Sequence, residues 1–149
     1  MIEHLGRTVF ASDCAVACAD ALRIPFSSGI ADIVLCTLSL GYLRLPGLAL
    51  REMRRVARTG GVVIVTDLHP EAVRSGWTRS FRSGEVVYEI ANYPYLLDDL
   101  SVDGLKLESS QDLFLGAPEK EIFEQAGKAA FFEEACKIPA VWVLEWQAV

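Results

Sequence analysis

"RIPFSSGIADIVLCTLSLGYL", residues 23–43, is the stretch whose reading decides the fold. Pro25 breaks regular structure and Ser27-Ser28-Gly29 turns the chain. Residues 31–40 then run almost continuously apolar, β-branched in their first half. That is the pattern of a strand buried on both faces of a parallel sheet. Working outward, "LPGLALREMRRVART" (45–59) is the clearest helix, with Leu48, Met53, Val56 and Ala57 on one face. Its arginines (Arg51, Arg54, Arg55, Arg58) share the other face and read as solvated. Gly60-Gly61 stand where a C-cap is expected. "GVVIVTDLHP" (61–70) is a second buried strand, stopped by His69-Pro70. Strand, loop, helix and strand make a βαβ unit with a right-handed crossover.

The flanks are less uniform. "AVACADAL" (15–22) reads as a short strand ending at Asp20, and residues 1–8 as the end of a helix. Residues 77–90 alternate around Ser83-Gly84, a hairpin signal. "YPYLLDDLSVDG" (93–104) is a short helix candidate closed by Gly104, and "LKLESSQDLFL" (105–115) a strand. Residues 118–137 read as a helix with Pro118 in its first turn. The chain closes with a strand at 140–149 that puts Trp142, Leu144 and Trp146 on one face.

The 149 residues suffice for one core but hardly for two. A hydrophobic share of 52% excludes long disorder, and a net charge of −6 argues against a nucleic-acid partner. The longest apolar run, near residues 33–43, is too short to span a bilayer. Cys14, Cys18, Cys36 and Cys136 form no C-x-x-C pair and no regular framework. They read as reduced thiols of a cytoplasmic protein. His4, Cys14 and Cys18 match no common zinc spacing, so no metal is expected.

Five elements in order carry a resemblance. They are Asp20-Ala21; Ile24-Pro25-Phe26; Ala31-Asp32-Ile33-Val34; the apolar loop from Leu38 to Tyr42; and Arg55-Val56-Ala57-Arg58-Thr59-Gly60-Gly61. Together they resemble the small-molecule branch of the class I S-adenosylmethionine-dependent methyltransferases (the type 11-like group). Thr59 replaces that family's usual proline, and Gly41 sits where many relatives carry histidine. The resemblance implies a three-layer Rossmann-like α/β sheet, mostly parallel with an antiparallel C-terminal strand. The family's first strand, glycine-rich loop and ribose-binding acid have no counterpart in "MIEHLGRTVFASDCAV". The expectation is one N-terminally truncated, partial domain over residues 1–149 with millimolar or no affinity for the donor.

The same resemblance implies S-adenosylmethionine as cofactor and a small organic acceptor as substrate. Asp20 would accept from the adenine amino group, a task suited to an acceptor-only carboxylate, and the backbone of Ala21 and Leu22 would meet the ring edge. Cys36 and Thr37, where the central strand runs out, would line the methionine end. Each has a plainer reading: Asp20 as a strand-end cap and Cys36 as a small buried hydrophobe. His69 is the one evident general-base candidate, and equally a turn histidine before Pro70. Tyr42, His69, Trp77 and Tyr93 are candidates for the substrate pocket, with Phe81 and Tyr88 of the hairpin beside them as lid or packing aromatics. A missing first strand would leave the 31–37 strand with a free edge. A second chain, giving a homodimer, or residues 15–20 would fill it. The alternative to catalysis is a non-catalytic remnant that acts through such chain–chain pairing.

Overall fold

The computed structural model describes residues 17–149. It contains six strands: β1 (Ala31–Thr37), β2 (Ala57–Leu68), β3 (Arg79–Ser83), β4 (Val86–Ile90), β5 (Leu105–Leu113) and β6 (Val141–Ala148). The helices are α1 (Pro46–Val56), α2 (Pro70–Arg74), α3 (Ala117–Gln125) and α4 (Phe132–Ala135). Three single-turn 3₁₀ helices cover Leu40–Tyr42, Leu97–Leu100 and Ala129–Phe131. The main sheet runs in the order β1-β2-β6-β5, and β3 with β4 forms a separate hairpin.

The expected Rossmann-like α/β architecture is present as a mixed sheet. β1 and β2 are parallel with Ile33 opposite Val62 and Thr37 opposite Thr66. β6 is antiparallel to both β2 and β5. α1 is the crossover between the parallel strands, and its apolar stripe of Ala49, Leu50, Met53 and Val56 is buried. Ala49, Leu50 and Met53 join Leu40, Val63, Val65, Leu100 and the Trp142, Leu144 and Trp146 face of β6 in one core. Leu48, expected on that stripe, is 39% exposed.

Several local readings are corrected. β1 is not buried on both faces: Ile33 and Leu35 are 60% and 64% exposed, while Val34 and Cys36 pack against the core. The apolar run states what the strand requires, not what supplies the cover. Among the described residues, β1 stands at the sheet's edge. α1 ends at Val56, not at the glycine pair, and Ala57 is already extended. Ala57 pairs with Ala31, and the register is irregular before Val62 meets Ile33. Gly60 (φ +76°) turns that excursion, and a Cβ at Gly61 would lie 3.0 Å from the carbonyl oxygens of Ala31 and Asp32. Glycine here permits the close strand approach rather than the helix exit.

The expected strand at 15–22 is absent over its described part. Residues 17–19 carry no regular structure, and Asp20 makes only an isolated bridge to Arg23. Ala15 and Val16, like the helix read over residues 1–8 and the His4 and Cys14 candidates, lie outside the described residues. The helix read over 118–137 is two helices, broken where Gly127 takes φ +67°. The arginine face of α1 is not simply solvated. Arg55 pairs with Glu52 and donates to the carbonyls of Ile24 and Phe26. Arg54 donates to those of Gly104 and Val149. Both side chains tie distant loops to the helix.

Candidate active site

The parallel register brings the C-terminal ends of β1 and β2 side by side, where Thr37 faces Thr66. In doubly wound sheets, ligands bind outside such carboxyl ends. The backbone is unusual at this edge. Leu38 adopts φ +49° while its N–H donates to the Thr66 carbonyl at 2.6 Å. A left-handed non-glycine residue is uncommon, and such residues cluster at functional sites.

A buried carboxylate organises this edge, and the sequence reading did not single it out. Asp67 follows Val63 and Val65 on the core-facing side of β2 and is 1% exposed. A buried carboxylate must be paired and hydrogen-bonded to be tolerated. Asp67 Oδ2 accepts from the Gly41 N–H at 2.6 Å and from the Tyr95 hydroxyl at 3.3 Å. Its Oδ1 accepts from the Leu68 N–H at 2.8 Å and from Arg79 Nη2. Arg79 is the first residue of β3. Its Nη1 donates to Asn92 Oδ1 at 2.9 Å, and its guanidinium carbon lies 4.6 Å from the Tyr42 ring centroid. The base of the hairpin is thereby clamped onto the ends of both parallel strands. The signal that could have found Asp67 is a carboxylate in phase with Val63 and Val65 at the end of an apolar run.

Gly41 completes the clamp. Its carbonyl accepts from the Tyr93 N–H at 2.7 Å. A Cβ at this position would stand 2.5 Å from Asn92 Oδ1 and 3.3 Å from Asp67 Oδ2. The side-chain space of residue 41 is therefore occupied by the hairpin base.

The predicted site residues separate into three groups. Cys36, Thr37, Tyr42 and Tyr93 gather at the strand ends around Gly41. Burial, then the charge of Asp67, pushes the Cys36 thiol up to about 11, so it is neutral and no nucleophile near neutral pH. Burial, then the charge of Asp67, likewise raises the Tyr95 hydroxyl above its ordinary value. Asp20, Ala21 and Leu22 form an exposed turn, in which Asp20 Oδ1 accepts from the Leu22 N–H at 2.9 Å. The turn leads into Ile24, whose N–H donates to Glu52 Oε2 at 2.9 Å. Arg55 and that N–H hold the Glu52 carboxyl down to about 2.

His69 and Trp77 lie elsewhere. His69 caps α2: its Nδ1 accepts from the Glu71 N–H at 3.1 Å. Its Nε2 is 3.4 Å from Asp112 Oδ1, and its ring meets Trp142 edge-on at 5.5 Å. Nδ1 is thus engaged as a cap, and Nε2 faces the Asp112 carboxylate. Trp77 follows α2, half-buried, with its backbone N–H donating to the Ala72 carbonyl. Phe81 and Tyr88 stack on each other at 5.2 Å across the exposed hairpin. Among the described residues no three His, Cys, Asp or Glu side chains converge to hold a metal ion, and no helix is long and apolar enough to cross a membrane.

Comparison with known proteins agrees with this layout. Residues 1–65 match a family model described as a methyltransferase domain. A malonyl-[acyl-carrier protein] O-methyltransferase of Laribacter hongkongensis is 35% identical over 68 residues, 46% of this chain and 23% of that protein. The protein of the same name from Marinomonas sp. is 27% identical over 139 residues, 88% of this chain and 51% of its own length. The chain thus spans about half or less of these relatives. A solved candidate S-adenosylmethionine-dependent methyltransferase from Listeria monocytogenes superposes with a TM-score of 0.72 at 12% identity, covering 100% of this chain and 76% of that one. At that identity the likeness is one of fold. Residues 1–65 thus resemble methyltransferase domains, and the chain has the fold of the class I S-adenosylmethionine-dependent methyltransferases.

Proposed function

We propose that the protein is an S-adenosylmethionine-dependent methyltransferase acting on a small organic acceptor. The observation that carries this reading is the pairing of Thr37 with Thr66. It sets two parallel strand ends, Cys36 and the left-handed Leu38 at one edge. Bound there, the cofactor would supply an activated methyl group on a sulfonium. The protein's task would be to hold donor and acceptor in line and exclude water. Asp20 suits the adenine end, because its exposed carboxylate spends Oδ1 on the Leu22 N–H and has Oδ2 to offer. The Ala21 and Leu22 backbone would flank the ring, and Thr37 with the neutral Cys36 would line the methionine end. Tyr42 and Tyr93 would face the acceptor.

His69 and Trp77 fit a structural role better in this reading, since His69 Nδ1 caps the Pro70–Arg74 helix and its ring packs on Trp142. Two relatives named for O-methylation of a malonyl group make an oxygen acceptor the first class to assay. The three free cysteines among the described residues suit a reducing, cytoplasmic setting. Calorimetric titration with S-adenosylhomocysteine tests the proposal. Saturable binding, even at millimolar affinity, supports it, and none up to the solubility limit refutes it.

A second reading has an observation of its own. Ile33 and Leu35 are largely exposed on a strand that, among the described residues, stands at the sheet's edge, which favours pairing with another chain as a homodimer or as a non-catalytic partner. Sedimentation velocity would give a concentration-dependent dimer under this reading, and a monomer at all concentrations without it.

A further inference from the structure

Beside the Asp67 clamp lies a cavity of about 320 Å³. Arg44, Tyr93, the start of α1, Arg51 and Ser101 form its walls, and it adjoins a second hollow of about 310 Å³ that shares Arg51 and Ser101. It borders the strand-end site directly. Tyr95 lines it and reaches Asp67, while Tyr93 lines it and is bonded through its N–H to Gly41.

The charge of this cavity runs against that of the molecule. The chain carries −6 overall, yet Arg44 and Arg51 both line one hollow, with Asp103 in the wall of the adjoining one, and among the described residues neither arginine is in an ion pair. Arg44 instead sits over the Tyr93 ring, 5.2 Å from its centroid. A stacked guanidinium is oriented without being neutralised, so its in-plane N–H donors remain free for a second partner. The one carboxylate in the wall, Asp99, accepts from the Leu96 N–H at 2.7 Å. The first turn of α1 adds no acidic residue and no side-chain cap.

We propose that this cavity is the anion subsite for the methyl acceptor. Arg44 and Arg51 would grip a carboxylate or phosphate of the acceptor that does not react, and so orient its reactive atom toward the ends of β1 and β2. Two guanidinium forks suit either planar or tetrahedral oxyanions. The inference rests on the proposed methyl transfer for the word acceptor, but the anion site itself is independently testable.

The test is titration of the intact protein with succinate, its neutral counterpart succinamide, and inorganic phosphate, followed by NMR. S-adenosylhomocysteine affinity is measured in parallel. The wild type is expected to bind succinate or phosphate saturably and succinamide roughly tenfold more weakly or not at all. The preferred anion distinguishes a carboxylate from a phosphate-bearing acceptor. Arg44→Gln and Arg51→Gln should each weaken the anion roughly tenfold and leave S-adenosylhomocysteine binding unchanged. Arg44→Lys, which keeps the charge and loses the fork, should fall between. Equal affinity for succinamide, or anion binding indifferent to both substitutions, would overturn the subsite. If anions bind as expected while S-adenosylhomocysteine does not, the anion site stands and methyl transfer falls.

Discussion

Two carboxylates, Asp20 and Asp67, have opposite surroundings. Asp20 lies in an exposed turn with one oxygen engaged by the neighbouring Leu22 N–H. Asp67 is buried and accepts from four groups on the β1 loop, β2, the hairpin base and the segment after it. A carboxylate held by four donors has no capacity left for a ligand, and removing it would leave a buried guanidinium unpaired. A carboxylate in an open turn has capacity to spare and little effect on the fold. The contrast gives Asp67 a structural role and leaves Asp20 available for the recognition proposed above.

The largest effect should follow from breaking the buried side of that contrast. Asp67→Ala is expected to destabilise the protein by about 3–5 kcal/mol, the usual result of stripping one partner from a buried pair. Urea denaturation measures it, and amide exchange should show the β3–β4 hairpin opening first. A loss below about 1 kcal/mol, the level of an exposed pair, would mean that the clamp is not structural.

Gly41→Ala is next. The added methyl must displace Asn92 from Arg79, and we expect a loss of about 1–3 kcal/mol, typical of overpacking. A neutral result in the same denaturation assay would show that the hairpin base yields easily.

The Asp20 turn can be probed through its attachment to α1. The Glu52 carboxyl is held down to about 2, first by Arg55 and then by the Ile24 N–H. Because its folded value lies below the ordinary carboxylate value of 4.5, its stabilisation is complete above pH 4.5 and is lost as pH falls toward about 2. Glu52→Gln should flatten the stability profile within that window and change its shape little at higher pH. A profile that keeps its acid slope would place the titrating group elsewhere.

The smallest effect concerns Cys36. With its thiol pushed up to about 11, roughly a hundredfold less thiolate is present near neutral pH than at the unperturbed value. Iodoacetamide should therefore modify exposed Cys18 well before Cys36. The reverse order would contradict the burial of the strand end.

What the sequence disclosed was periodic. The alternation of 141–148, the helical spacing of 45–59 and the apolar run of 62–67 placed β6, α1 and β2, because each pattern needs a single face or both faces covered. The hairpin was legible from Ser83-Gly84. Cover was not legible: 33–37 and 62–66 read alike, yet among the described residues one lies at an edge and the other between two strands. Nor were partnerships across distance. Arg79 is twelve residues from Asp67, and nothing local announces that a hairpin will fold back to meet a strand end. Asp20 and Thr37 were singled out through resemblance, while Arg44 and Arg51 gain meaning only when a cavity brings them together.

The most direct test of the division between the two carboxylates is a paired measurement on Asp20→Ala: thermal stability and calorimetric affinity for S-adenosylhomocysteine on the same sample. The account predicts an unchanged melting midpoint and binding weaker by about 1–2 kcal/mol, one hydrogen bond to a charged acceptor. Wild-type affinity in the variant, or a fall in stability comparable to that of Asp67→Ala, would contradict it.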